Sequence, residues 1–129
     1  MHTIPALSLT QVTLAGVPLI GINRSTAALF TRIAQPGLSS RAMGWDTNGG
    51  SYHGCGNMSN ATFYHTGYTG TMMCADPHAN ITLVLLTNRV YPRADHASME
   101  KVHAVRQVVA STVHQLMTRY SVEDTTNLV

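Results

Sequence analysis

The sequence predicts an α+β domain, an antiparallel sheet flanked by helices, and three observations predict it. Short β-rich runs at 63–66, 71–75 and 81–87 are joined by connections too brief for parallel crossovers. A later run, 96–120, repeats apolar residues every three or four positions, the period of an amphipathic helix. The 129 residues suffice for one sizeable core but are short for two.

Residues 1–24 mix Ile, Leu and Val with Pro and Gly at no clean period, so an irregular or partly extended lead-in is expected. Apolar residues at helical spacing then predict a short helix over 25–34, with Ser25 as its N-cap and Pro36-Gly37 as its stop. Residues 37–62 are rich in Gly, Ser and Asn and read as a long polar loop, interrupted by Ala42-Met43-Gly44-Trp45, which enters a strand holding the single tryptophan. The strand runs at 71–75 and 81–87 are joined by Asp76-Pro77-His78-Ala79-Asn80, a turn composition. Residues 81–86 are apolar at both parities, which predicts a central strand covered on each face. In the closing helix the set Met99, Val102, Val105, Val109, Val113, Leu116, Met117 and Tyr120 is expected to pack on the sheet, and the polar, acidic residues 121–129 form a flexible tail. The domain is therefore placed at 25–120.

Only 11% of residues are charged, against roughly 25% in an ordinary soluble domain. Abundant Ser, Thr, Asn and Gly account for part of this low charge, and area meant to lie against another domain accounts for the rest. The net charge of +2 is scattered, with Lys101 the single lysine, so no phosphate-tracking footprint exists and nucleic acid is not an expected partner. The start of the chain has no basic n-region, and its apolar stretch is broken by Gln11, Gly16 and Pro18, so neither a signal peptide nor a membrane span is expected; the compartment stays open. Cys55 and Cys74 have no redox or zinc spacing and are expected to be free thiols. His53, His65 and His78 lack ligand spacing and accompanying carboxylates, so no metal and no cofactor is expected. Asn-x-Ser/Thr sequons at Asn23, Asn57, Asn60 and Asn80 are ascribed to chance in a Ser/Thr-rich chain.

The order of the pieces is informative: a Gly-Trp strand entry, His65-Thr66-Gly67, the Thr69-Gly70 pair, an Asp-Pro hairpin, Leu85-Leu86-Thr87-Asn88-Arg89, Tyr91-Pro92, then a helix. In this the chain resembles the C-terminal part of the serine β-lactamase and penicillin-binding protein superfamily, its class C-like branch, which includes esterases and D-amino-acid peptidases. The similarity spans roughly 25–120 and is strongest over 42–92. It implies an incomplete β-lactamase/transpeptidase-like fold. Members use Ser-x-x-Lys for an acyl-enzyme, a Tyr-x-Asn type motif for proton transfer, and Lys-Thr-Gly or His-x-Gly on a sheet strand.

The resemblance matches only the third motif. It places His65, Thr66, Gly67 and Tyr68 on the catalytic strand, with the Tyr68 backbone N–H as one of two oxyanion donors, and it places Arg93 and Gly70 at the substrate. A strand beside a cleft offers fixed N–H groups to a developing oxyanion, and glycine lets the acyl group approach the backbone. Where relatives carry lysine, a permanent cation can hold a carboxylate; histidine as a residue type is mostly neutral at pH 7, so hydrogen bonding is expected instead. For Arg93 an ordinary solvated arginine is at least as good a reading, and Arg89 is expected to brace its loop. Ser98-Met99-Glu100-Lys101 matches Ser-x-x-Lys, but it follows the His-Thr-Gly strand and opens a helix, where serine caps. No Tyr-x-Asn occurs.

These readings imply a C-terminal portion of a serine hydrolase of amides, lactams or esters, inactive by itself, which meets a small-molecule substrate only when completed by a nucleophile-bearing part. Two alternatives stand beside it: a non-catalytic interaction module, self-associating through exposed sheet surface, and one half of a split hydrolase.

Overall fold

A computed structural model describes residues 24–126 together with 13–14 and 17–18. The lead-in contributes one short antiparallel pair, β1 (Thr13–Leu14) with β2 (Val17–Pro18). The rest of the lead-in, with the Asn23 sequon, and the last three residues of the tail lie outside the described residues.

The first helix, α1 (Arg24–Thr31), begins and ends earlier than its apolar spacing suggests. Ser25 therefore sits inside the first turn, and the Thr31 hydroxyl turns back onto Ala27 O at 3.0 Å where the helix stops. Trp45 lies immediately before β3 (Asp46–Thr47) rather than within it. Next come β4 (Phe63–Thr66), β5 (Met72–Asp76) and β6 (Ile81–Leu85), followed by α2 (His96–Thr126). Asp95 caps α2: its carboxylate accepts the Ser98 N–H at 2.7 Å, while the Ser98 hydroxyl donates to Asp95 O at 2.7 Å. This helix runs on to Thr126, past the Tyr120 end that the apolar period suggests.

The four-stranded sheet is antiparallel in the order β3-β4-β5-β6, as the short connections require. Register assigns the faces. Tyr64 opposes Cys74, which opposes Leu83, and this row with Met72, Ile81 and Leu85 packs with Cys55, Met58, Ala110 and Val113 of α2 and the long loop. The other face carries Phe63, His65, Met73 and Val84, with the Trp45 ring edge-on to Phe63 at 5.3 Å.

Three expectations are corrected. Among the described residues the 81–86 run is an edge strand, not a central one, and Val84 and Leu86 are 57% and 78% exposed. Apolar residues at both parities mark surface that can be covered, but not what covers it; here α2 reaches one face only. The helix stripe is likewise narrower than its period suggested, because Met99, Val105, Leu116, Met117 and Tyr120 are exposed while Val102, Arg106 and Ala110 are buried. A slight shift of the contact line swaps which rows meet the sheet. Finally, Cys55 and Cys74 are not free thiols but a buried disulfide, joining the long loop to β5.

One buried amide ties that loop to itself. Fully buried Asn48 donates from Nδ2 to Gly56 O at 3.2 Å and Met58 O at 3.1 Å, and its Oδ1 accepts the Cys55 N–H at 3.1 Å. The loop then docks on α2, with Gln107 donating to His53 O at 3.1 Å and Asn57 N–H donating to the Ser111 hydroxyl at 3.0 Å. Gly56, at φ 55°, has to be glycine there because a Cβ would run into Ser111 and the Gln107 carbonyl. At the opposite hairpin the buried Asp76 carboxylate accepts from Ser59 N, Ser59 Oγ, His78 N and Ala79 N at 2.7–3.2 Å. Burial alone would raise its pKa; these four donors outweigh it and hold the carboxyl below the usual aspartate value.

Candidate active-site strand

His65 and Thr66 are the last residues of β4, and the strand leads straight into the hairpin turn Gly67-Tyr68-Thr69-Gly70. Gly67 N donates to Thr71 O at 2.8 Å and Gly70 N donates to Gly67 O at 3.0 Å, which closes the turn. Gly70 takes φ 103°, and a Cβ there would strike Val102 of α2 and Thr87. His65 is exposed on the face away from α2, opposite Met73, with the Trp45 ring edge-on and its centre 6.4 Å from that of the imidazole. It is thus open to solvent beside an apolar row, not enclosed.

Tyr68 is 71% exposed and lies against the Arg89 guanidinium, 4.5 Å from its ring centre. Arg89 also donates from Nε to Tyr68 O at 2.7 Å and from its backbone N to Thr69 O at 2.8 Å, so it braces the turn. Its remaining reach goes to Ser98 Oγ at 3.3 Å. The Ser98 hydroxyl is therefore shared between the cap of α2 and Arg89, and among the described residues no bond joins it to exposed Lys101.

One participant escaped the sequence reading. Arg106, only 4% exposed, extends from α2 to the inner side of the turn and donates to Gly67 O at 3.0 Å, Thr71 O at 3.0 Å and Gly70 O at 3.1 Å. Burial lowers its pKa, with Arg89's charge acting in the same direction. Among the described residues the one side-chain ion pair is Arg41–Asp46, so three backbone carbonyls rather than a carboxylate compensate this cation. The only available sequence signal was an arginine four residues after Val102 and four before Ala110, on what proves to be the buried face.

His65, Thr66, Gly67, Tyr68 and Gly70 thus lie together on one strand and its turn. Arg93 is exposed elsewhere, lining an open hollow of about 390 Å³ with Pro92 and Asp95, and no described contact joins it to that strand. A hollow of about 700 Å³ lies between the long loop and α2, against His53, Asn57, Gln107 and Ser111, and His65 is not in its lining. Among the described hollows none is lined by residues 65–68. No group of His, Cys, Asp and Glu among the described residues is arranged to hold a metal, and no described helix is long and apolar enough to cross a membrane.

The family model described as Beta-lactamase matches residues 21–107, more than half of the chain, taking in α1, the four-stranded sheet and the first part of α2. The chain belongs to the beta-lactamase family. No curated protein and no solved structure matched. The α+β architecture, an open antiparallel sheet with helices, agrees with part of a beta-lactamase-family domain, and the matched span holds the His-Thr-Gly strand and Arg106 together.

Proposed function

We propose that this chain supplies the oxyanion-side wall of a serine hydrolase of the beta-lactamase family, acting on an amide, lactam or ester, and that the nucleophile comes from polypeptide outside these 129 residues. The observation that carries this reading is the Tyr68 N–H, which follows His65-Thr66-Gly67 and has no acceptor among the described residues, while every carbonyl of that turn has a donor. In the completed site a serine hydroxyl would attack the substrate carbonyl carbon, its proton passing to a base on the same missing part. The carbonyl oxygen would gain the negative charge beside the Tyr68 N–H, and the leaving amine or alcohol would depart as the acyl-enzyme forms. His65, exposed beside Trp45 and Met73, would hydrogen-bond the substrate, Gly67 would let the acyl group approach the backbone, Gly70 would keep the turn close against Val102 and Thr87 behind it, and exposed Arg93 is assigned to an anionic group of a substrate long enough to reach it.

By itself the chain should leave a chromogenic cephalosporin and a chromogenic ester intact and take no fluorophosphonate label. Labelling at Ser98 would overturn the assignment of the nucleophile. Titrating acetate, which mimics the acyl oxygen, into 15N-labelled protein should shift the Tyr68 amide and its neighbours within 65–70; a response spread evenly over the chain would remove the oxyanion reading.

A second reading is favoured by one observation, the outer edge of β6, which no strand pairs among the described residues, beside exposed Val84 and Leu86: a non-catalytic module that pairs a strand from another chain or a second copy there. Concentration-dependent sedimentation of the chain, abolished by Val84→Lys, would favour this reading over the first.

A further inference from the structure

We propose that Arg106 is the positioning residue for the Tyr68 amide, aiming and polarising the peptide group whose N–H meets the acyl oxygen; this rests on the oxyanion reading above. The peptide carrying the Tyr68 N–H is the one whose oxygen is Gly67 O. That oxygen accepts from Gly70 N at 3.0 Å and from Arg106 Nη2 at 3.0 Å. In a planar trans peptide the C=O and N–H point in opposite directions, so drawing the oxygen inward onto a buried guanidinium turns the N–H away from α2. A charge-assisted bond to the oxygen also pulls electron density from the nitrogen, which makes the N–H a stronger donor at the moment charge develops on the substrate.

Bracing the hairpin does not by itself require a cation. The turn is already closed by Gly67 N to Thr71 O and Gly70 N to Gly67 O, and a buried guanidinium costs desolvation that carbonyl contacts, with no carboxylate among the described residues paired to it, offset here. The two arginines divide the turn between them. Arg89 donates from Nε to Tyr68 O, which belongs to the peptide bearing the Thr69 N–H, whereas Arg106 serves the peptide bearing the Tyr68 N–H. Each guanidinium therefore addresses a different amide.

That division provides the test, on the full 15N-labelled chain without ligand. Arg106→Gln should move the Tyr68 amide resonance upfield by more than any amide outside 66–72, Arg89→Gln should move Thr69 more than Tyr68, and Arg106→Lys should bring Tyr68 part of the way back. Tyr68 unmoved by Arg106→Gln, or Tyr68 and Thr69 moved alike by both substitutions, overturns the proposal. Should Arg106→Gln fail to fold, the unsubstituted chain decides through the scalar coupling across the hydrogen bond from the Arg106 guanidinium nitrogen to the Gly67 carbonyl carbon. Its presence supports the role and its absence ends it. Failure of acetate to perturb Tyr68 would remove the oxyanion reading while leaving these shifts intact, so the two failures are distinguishable.

Discussion

Removing the Cys55–Cys74 cross-link is the sharpest test of how the long loop is held. The bond closes a loop of sequence separation 19, and both cysteines are fully buried. Loop-closure entropy for that length corresponds to about 3 kcal/mol at 25 °C, from roughly 2.1 + 1.5R ln 19 ≈ 11 cal/mol/K. The paired substitution Cys55→Ala with Cys74→Ala adds a small packing loss in the core. Topology should survive, because Asn48, Gln107 and Ser111 hold the same loop through five hydrogen bonds independent of sulfur. Urea unfolding followed by circular dichroism should therefore show a stability loss of about 3–4 kcal/mol with native helix content, and a fall in Tm on the order of 10 °C for a chain of this length. A loss under about 1 kcal/mol, or two thiols titrating in the denatured, unreduced wild-type chain, would refute the cross-link as a structural clamp.

Two further outcomes follow from the hairpin and the helix cap. Asp76 has a depressed folded-state pKa, so its contribution is fully present above the ordinary carboxyl value and is lost as pH falls through the lower, folded one; Tm should hold steady near neutrality and drop below about pH 4, and Asp76→Asn should flatten that part of the curve. An unchanged acid limb in Asp76→Asn would show that another carboxylate is responsible. Asp95→Ala removes the acceptor for Ser98 N–H and should cost about 1 kcal/mol in urea unfolding, with Ser98→Ala close to it, and neither should change reactivity toward a fluorophosphonate. A Ser98→Ala chain that loses labelling present in the wild type would contradict the cap assignment.

Much of the fold was legible because its signals are local. The runs at 63–66, 71–75 and 81–87 give three of the sheet's four strands nearly residue for residue, and the short Asp76–Asn80 connection dictates antiparallel pairing. The Asp95 cap with Ser98 at N3 explains why a Ser-x-x-Lys match occurs at a helix start. The His65-Thr66-Gly67 run stood out by the order of its neighbouring motifs, and it falls inside the family match over 21–107.

What the sequence by itself determined is the inventory and much of the local geometry: which of the runs over 25–34, 63–66, 71–75, 81–87 and 96–120 become strands or helices, where the Asp76–Asn80 turn falls, and that His65 lies at the end of a strand. Those follow from period, φ preference and capping chemistry, which act over a few neighbouring residues. Only the tertiary structure decided that β6 lies at the edge, that Cys55 meets Cys74, that Asn48 organises the loop beside them, and that Arg106 crosses from α2 to the carbonyls behind Tyr68. Each of these depends on which surface of one element faces another. Burial and hydrogen-bond satisfaction choose that arrangement between segments far apart in the chain, so no local pattern encodes it.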